Sequence, residues 1–343
     1  MAPFRLGIMG FGRLAREYYC PALRGLDRVG QVLVADPLDR SRDAARRALP
    51  DAKVFADPAE VLAQRPDGII IAAPPSAHLT LWRAAMRAGV PALVEKPFVL
   101  RGELAAATGT LSEQQLLMVD FNRRFWGPYR RIAELVWGGM VGDIVRIELT
   151  LQTDVRPWCA VTSHRLDPAE GGALFDLGSQ VVDLATWLLA RDPSAVLAVM
   201  GEPGDQVQID LIFPGDVLAR CRVGYGRPTQ ERLDIEGQSG RIRMADPNMG
   251  VHLERRPAAA PWAALSDLAM LGWRGVFRSR SMSRHSIARA IGTFVECVER
   301  STPFSPGFAE AARSSRLLDA AATSLALGRP VPPEWAGDRV AHG

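Results

Sequence analysis

Apolar positions in the first third of the chain fall in short blocks: Arg5 to Met9, Gln31 to Ala35, Lys53 to Phe55, Gly68 to Ala72, Pro91 to Val94 and Leu116 to Val119. Blocks of this length, bounded by Gly, Pro and Asp, read as strands buried on both faces. The amphipathic stretches between them carry helix punctuation. Asp57-Pro58 supplies an N-cap and a first-turn proline, and Gly89 follows the stripe Leu81, Trp82, Ala85, Met86 as a C-terminal stop. Strand alternating with helix predicts parallel pairing through right-handed crossovers, a doubly wound sheet spanning residues 1–121.

After Asn122 the pattern changes. A helix over about 128–137 leads through Gly138-Gly139 and Gly142-Asp143 to a strand at 144–150, and a second helix is predicted near 178–189. Strand-length runs follow at 195–200, 206–213, 217–224, 231–236 and 241–244, separated by turns such as Pro214-Gly215-Asp216. Consecutive strands on short turns pair antiparallel. Residues 122–343 are therefore expected to form a second α/β domain, a large open and mainly antiparallel sheet with helices on one face. The stretch 255–283, Pro/Ala-rich and then Arg-rich, shows no period and reads as an excursion, a lid or a dimer element; amphipathic helices over 287–300 and 308–327 follow. A chain of 343 residues exceeds what one core sustains, in keeping with two domains.

Composition narrows the function classes. There is no apolar run long enough to cross a bilayer, and the first residues run straight into a strand pattern without a basic, apolar leader, so a cytoplasmic protein is expected. A net charge of +3 with dispersed arginines gives no nucleic-acid footprint. Cys20, Cys159, Cys221 and Cys297 show neither CxxC pairing nor metal-ligand spacing, and no metal site is expected. Of 41 basic residues only Lys53 and Lys96 are lysine. Against that arginine bias, each lysine is a candidate for something arginine cannot do, namely give up its proton.

Gly10-x-Gly12-x-x-Ala15 closes the first strand and opens a helix. The first glycine permits a tight turn, the second lets backbone approach a pyrophosphate, and Ala15 allows close helix–strand packing. Asp36 ends the second strand about twenty residues on, where an acidic side chain binds ribose hydroxyls and repels a 2′-phosphate. The expected cofactor is NAD, with NADP disfavoured. Gly10, Phe11, Gly12, Arg13, Leu14 and Asp36 are candidate contacts, and Arg40 and Arg42 stand close enough in sequence to soften the preference.

Further along, Ala73-Pro74-Pro75-Ser76-Ala77-His78, Val94-Glu95-Lys96-Pro97, Asn122-Arg123-Arg124-Phe125, the run Gly171 to Gly178 and the turn Glu236-Gly237-Gln238-Ser239-Gly240 occur in order. Together they closely resemble the glucose-fructose oxidoreductase / inositol dehydrogenase / rhizopine catabolism (Gfo/Idh/MocA) family across nearly the whole chain. The stretch around Arg156-Pro157-Trp158 is similar to its scyllo-inositol dehydrogenase branch. The resemblance adds Ala73, Pro74, Pro75, His78, Glu95, Lys96, Pro97 and Asn122 to the candidate cofactor contacts. It also implies that Lys96 lies beside the nicotinamide and a substrate hydroxyl, preceding a Lys96-Pro97 bond that is often cis in the family. Its implied assembly is a homodimer or homotetramer.

The family's second catalytic element, Asp-x-Gly-x-His-x-x-x-Asp or a close variant, here reads Asp176-Leu177-Gly178-Ser179-Gln180, with Asp183 following. Asp176 and Gln180 stand at helical spacing and share a face. Glutamine replaces the histidine and cannot exchange a proton near neutral pH. Three readings stay open. Lys96 and Asp176 relay the alcohol proton while Gln180 orients the substrate; or His164 supplies the missing imidazole; or the chain binds NAD without turnover, as a sensor or regulator. The expected activity is hydride transfer to or from a secondary alcohol or ketone of a sugar, cyclitol or sugar-derived metabolite. Lys96, Asp176 and Gln180 are the candidate catalytic set, and Arg123, Trp158 and His164 join them as candidate substrate contacts.

Overall fold

A computed structural model of the chain describes residues 3–107, 115–159, 164–201, 206–226, 228–246, 250–255 and 279–335. Most of the 255–283 stretch lies outside the described residues. The chain divides into two compact units: Met1–Phe125 with Val155–Ser179 and Ser283–Ser315, and Trp126–Asp154 with Gln180–Met282 and Arg316–Gly343. Among the described residues no helix is long and apolar enough to cross a membrane.

The first unit holds six strands, β1 (Phe4–Met9), β2 (Val29–Ala35), β3 (Lys53–Phe55), β4 (Gly68–Ile71), β5 (Ala92–Val94) and β6 (Leu117–Val119), in the order β3-β2-β1-β4-β5-β6. Every pairing is parallel. Successive side chains of a strand point to opposite faces, and these mainly apolar strands use both. Met9, Leu33, Ile69, Ile71 and Val94 pack on one side with Trp82, Met86 and Phe98. Leu6, Ile8, Val34, Ile70 and Leu93 pack on the other with Phe11, Tyr19, Ile291 and Phe294. The helix Ser279–Arg300 lies close enough that a Cβ on Gly68 would meet the Phe294 ring at 2.8 Å. The strand order reverses between β1 and β4, and clefts at the carboxyl ends of strands flanking such a reversal are where doubly wound sheets bind ligands.

The second unit holds β7 (Ile144–Thr153), β8 (Ala195–Met200), β9 (Gln206–Phe213), β10 (Val217–Tyr225), β11 (Gln230–Gly237), β12 (Gly240–Met244) and β13 (His252–Arg255), in the order β13-β12-β11-β7-β10-β9-β8. All pairings are antiparallel except β7 with β10. That parallel pair and β13 were not expected from the sequence, which placed each strand beside its sequence neighbour. On one face Ile147, Leu149, Ile209, Cys221 and Ile235 are buried, and Cys221 Sγ lies 3.9 Å from the Val181 carbonyl of the helix Gly178–Leu189. The other face carries facing charges: Arg220 sits opposite Asp210 and Arg243 opposite Asp234, each ion-paired. In the turn joining β11 to β12, a Cβ on Gly237 would stand 2.3 Å from the Val141 carbonyl, so the position admits only glycine.

Candidate functional site

The chemistry-bearing residues of the first unit collect where its strands end. Gly10 follows β1 with φ +95°, and an added Cβ would meet Ala72 and Ala73 backbone at 2.8 Å. Gly12, two residues on, has nothing within 4 Å of an added Cβ. One glycine is thus demanded by the fold, and the other leaves open space above the turn, as a cradle for a pyrophosphate requires. Asp36 is buried, and its carboxylate accepts Phe11 N–H at 2.7 Å and Leu38 N–H at 2.9 Å, tying the glycine turn to the end of β2. Arg42 donates to the main-chain oxygens of Asp36 and Pro37 and pairs with Asp39. Its guanidinium is held against backbone and its own helix, which limits its use as a 2′-phosphate ligand. Phe11 offers its backbone here, since its ring is buried in the core, and Arg13 pairs with Glu17. Leu14 packs against that same core. The donor set, an open glycine turn before a helix and a carboxylate at the next strand end, fits NAD.

Ala73 and Pro74 lead into the helix Pro75–Arg87 from the end of β4. His78 is buried within that helix, with Nδ1 2.8 Å from the Pro97 carbonyl and Nε2 2.9 Å from the Ala73 carbonyl. Burial lowers its pKa. Its ring is spent on joining the β4 loop to the β5 loop, and the Lys96-Pro97 bond in that second loop is cis. Asn122 and Arg123 lie in a single helical turn, Asn122–Phe125, shortly after β6.

Lys96 Nζ donates to the Asp176 Oδ1 carboxylate oxygen and to the Asp176 main-chain oxygen, the latter at 3.1 Å. Arg165 donates to the other carboxylate oxygen. All three side chains are largely buried, at 10% exposure for Lys96, 13% for Asp176 and 17% for Arg165. One carboxylate therefore spans two cations. The Val155–Ser179 stretch that carries Asp176 and Arg165 is anchored by Glu170, which accepts Ser76 N–H at 3.0 Å and the Ser76 hydroxyl at 2.6 Å. Gln180, four residues after Asp176, is buried, and its Oε1 has no hydrogen-bond partner among the described residues. A buried acceptor without a donor is costly in a native fold and marks a place for a ligand hydroxyl or a water. The side chains of Trp158 and His164 lie outside the described residues.

Beneath Lys96, Glu95 and Asp120 are buried with Tyr19 between them. Arg165, Glu170, Tyr19 and Asp120 were not singled out by sequence reasoning. In so arginine-rich a chain nothing marks Arg165, and the other three gain meaning only from the partners that the fold brings to them.

Two family models match the chain. Residues 4–121 match the oxidoreductase family with an NAD-binding Rossmann fold, and residues 129–243 match the Gfo/Idh/MocA C-terminal domain. The chain belongs to the Gfo/Idh/MocA oxidoreductase family. Among its relatives, an inositol 2-dehydrogenase of Rhizobium meliloti is 23% identical, covering 95% of this chain and 98% of that protein. A scyllo-inositol 2-dehydrogenase (NADP(+)) of Bacillus subtilis is 23% identical over 60% of this chain and 57% of its own. The fold also matches the crystal structure of scyllo-inositol dehydrogenase from Lactobacillus casei with bound NAD(H) and scyllo-inositol, with a TM-score of 0.76 at 18% identity over 96% of this chain and 99% of that one. Family members thus use either dinucleotide, and the expected fold class, a parallel first sheet and a mainly antiparallel second one, is the one found.

Proposed function

We propose that this protein is an NAD(H)-dependent oxidoreductase that moves a hydride to or from a secondary alcohol or ketone of a sugar, cyclitol or related polyol. The observation that carries the reading is the bonding of Lys96 to Asp176 at the end of β5, in the same parallel sheet whose β1 and β2 ends form the glycine cradle and its carboxylate. Bound NAD supplies the hydride chemistry. The chain's own task is to hold the polyol and manage one proton. In the reductive direction the Lys96 ammonium gives its proton to the forming alkoxide, and in the oxidative direction the neutral amine takes it. Asp176 fixes Nζ in place, and Arg165 holds Asp176 from the opposite side, so the carboxylate cannot swing away with the lysine. Gln180 contributes an unpartnered acceptor suited to a substrate hydroxyl and no proton exchange of its own.

The second reading, a catalytically silent NAD-binding sensor, draws on the same glutamine, because the proton-exchanging group that the family carries there is absent. The two are separated by adding NAD⁺ with a panel of inositols, aldoses and glucosides and following the absorbance of the reduced nicotinamide. The Arg156-Pro157-Trp158 likeness makes scyllo-inositol the first substrate to try. Turnover on any member supports the enzyme; saturable NAD binding without turnover on any of them refutes it in favour of the sensor. We also propose a cytoplasmic homodimer or homotetramer, paired through the open face of the seven-stranded sheet.

A further inference from the structure

Tyr19, Glu95 and Asp120 come from three separate parts of the first unit, the opening helical segment and the ends of β5 and β6, and all three are buried. The Tyr19 hydroxyl oxygen is in hydrogen-bond contact with Glu95 Oε1 and lies 2.8 Å from Asp120 Oδ2. A phenol has one proton and can donate to one of these oxygens only. The second contact needs a proton of its own, and a carboxyl must bring it.

Which carboxyl holds it follows from the remaining partners. Glu95 Oε2 accepts the Lys96 main-chain N–H at 3.2 Å, so both Glu95 oxygens are served by donors. Asp120 Oδ1 is buried without a partner among the described residues. An unpaired oxygen of a neutral acid costs far less in an apolar setting than half of a bare carboxylate. The order that satisfies both Tyr19 contacts and both Glu95 oxygens is Asp120 O–H to the Tyr19 oxygen, Tyr19 O–H to Glu95, and the Lys96 N–H to Glu95. The surrounding charges agree. Burial raises Asp120 well above the usual carboxylate range and the Glu95 carboxyl raises it further, whereas the burial that lifts Glu95 is opposed by Lys96, by the Tyr19 hydroxyl and by Arg165. Burial, then Asp120 and Glu95, also keep the Tyr19 phenol protonated. The charged groups facing the cluster are Lys96 beside Glu95 and Arg165 from the Val155–Ser179 stretch, with His78 bonded to the Pro97 carbonyl next door.

We propose that Tyr19, Glu95 and Asp120 are positioning residues that share an extra proton at neutral pH, leaving one anion, on Glu95, to fix the backbone of Lys96. One negative charge instead of two then lies beneath the ammonium whose proton must move during turnover. This last consequence rests on the function proposed above; the protonation itself does not.

The test separates the two. Infrared difference spectra at neutral pH between the wild type and Asp120→Asn are expected to show loss of a protonated-carboxyl C=O band. Loss of only an ionised-carboxylate band in Asp120→Asn overturns the proposal. Should that variant not fold, carbon NMR of wild-type protein labelled at the aspartyl carboxyls gives the same answer. One aspartyl signal is expected to stay protonated through neutral pH, and titration of every one in the ordinary acidic range sinks the idea. Once a substrate is found, Glu95→Gln should shift the pH profile of kcat while KM stays near its original value. A changed KM with an unmoved profile would mean that the cluster is scaffold alone. Absence of wild-type turnover would defeat the enzymatic reading and leave the spectroscopic result standing.

Discussion

Replacing Asp36 by Ala tests the cofactor cradle at the point where fold and specificity meet. The carboxylate accepts two backbone N–H groups, that of Phe11 at 2.7 Å and that of Leu38 at 2.9 Å. A hydrogen bond to a charged group contributes about 1.5–3 kcal/mol, and a buried donor left unpaired adds its own desolvation cost. The Phe11 contact is buried whereas the Leu38 contact is partly open to water, which can replace the lost acceptor there. Only the first loss should be felt in full, giving a destabilisation of about 2–4 kcal/mol in urea unfolding. Asp36→Asn retains one amide oxygen and should lose roughly half of that. The effect on binding differs in kind. Both variants remove the charge that would repel a 2′-phosphate, so fluorescence titrations with NADH and NADPH should show the NADH preference falling by about tenfold or more, which corresponds to about 1.4 kcal/mol. If Asp36→Asn binds the two dinucleotides in the wild-type ratio, the carboxylate does not face the ribose and the assignment is wrong. If Asp36→Ala unfolds at the wild-type urea concentration, the tie between the glycine turn and β2 carries no weight.

The two glycines of the turn should behave oppositely. Gly10→Ala forces a Cβ against Ala72 and Ala73 at a φ of +95° and should unfold the first unit at lower urea, while Gly12→Ala, with open space at its Cβ, should leave the urea midpoint unchanged and weaken NADH binding. Lys96→Met should lower kcat by about 100-fold or more, the scale of a lost proton-transfer group, with NADH affinity retained in titrations; surviving turnover would remove Lys96 from the relay. Glu310 is pushed up by burial, but the Gly307 N–H, Arg124 and the Ser305 hydroxyl hold its carboxyl below the usual range. A depressed carboxyl stabilises the fold above its unfolded value and loses that contribution as the pH falls through its folded one. Glu310→Gln should therefore cost about 1 kcal/mol at neutral pH and match the wild type in acid, well below the ordinary value of 4.5; a gap that persists in acid would rule the ion pair out as its source.

Much of the architecture is legible in the sequence because its signals are local. Each of the six strands of the first sheet is a short, mainly apolar block, and β1 to β6 fall within two residues of the blocks read from the pattern. The β7–β10 pairing is not local: alternation marks both strands, but nothing in it states that Val217–Tyr225 will lie parallel to Ile144–Thr153. The candidate site divides along the same line. Gly10, Gly12, Asp36 and Lys96 announce themselves by spacing or by rarity. Arg165 is one of many arginines, and Tyr19 and Asp120 stand in unremarkable segments until the sheet brings three chain regions to one place. Resemblance named Glu95 and His78 as cofactor contacts. The hydrogen bonds found for them run to Tyr19, the Lys96 main chain and two loop carbonyls, a bracing role that residue type alone does not reveal.

Ile287, Ile291, Phe294 and Val295 pack into the same cluster as Phe4, Leu6 and Ile8, although some 280 residues separate them in the chain. During synthesis, that side of the sheet must wait, covered only in part, until the ribosome has passed all seven strands of the second sheet. A nascent chain stalled before residue 283 would thus offer that side to a chaperone, and releasing the helix in trans as a peptide would be a direct way to cover it.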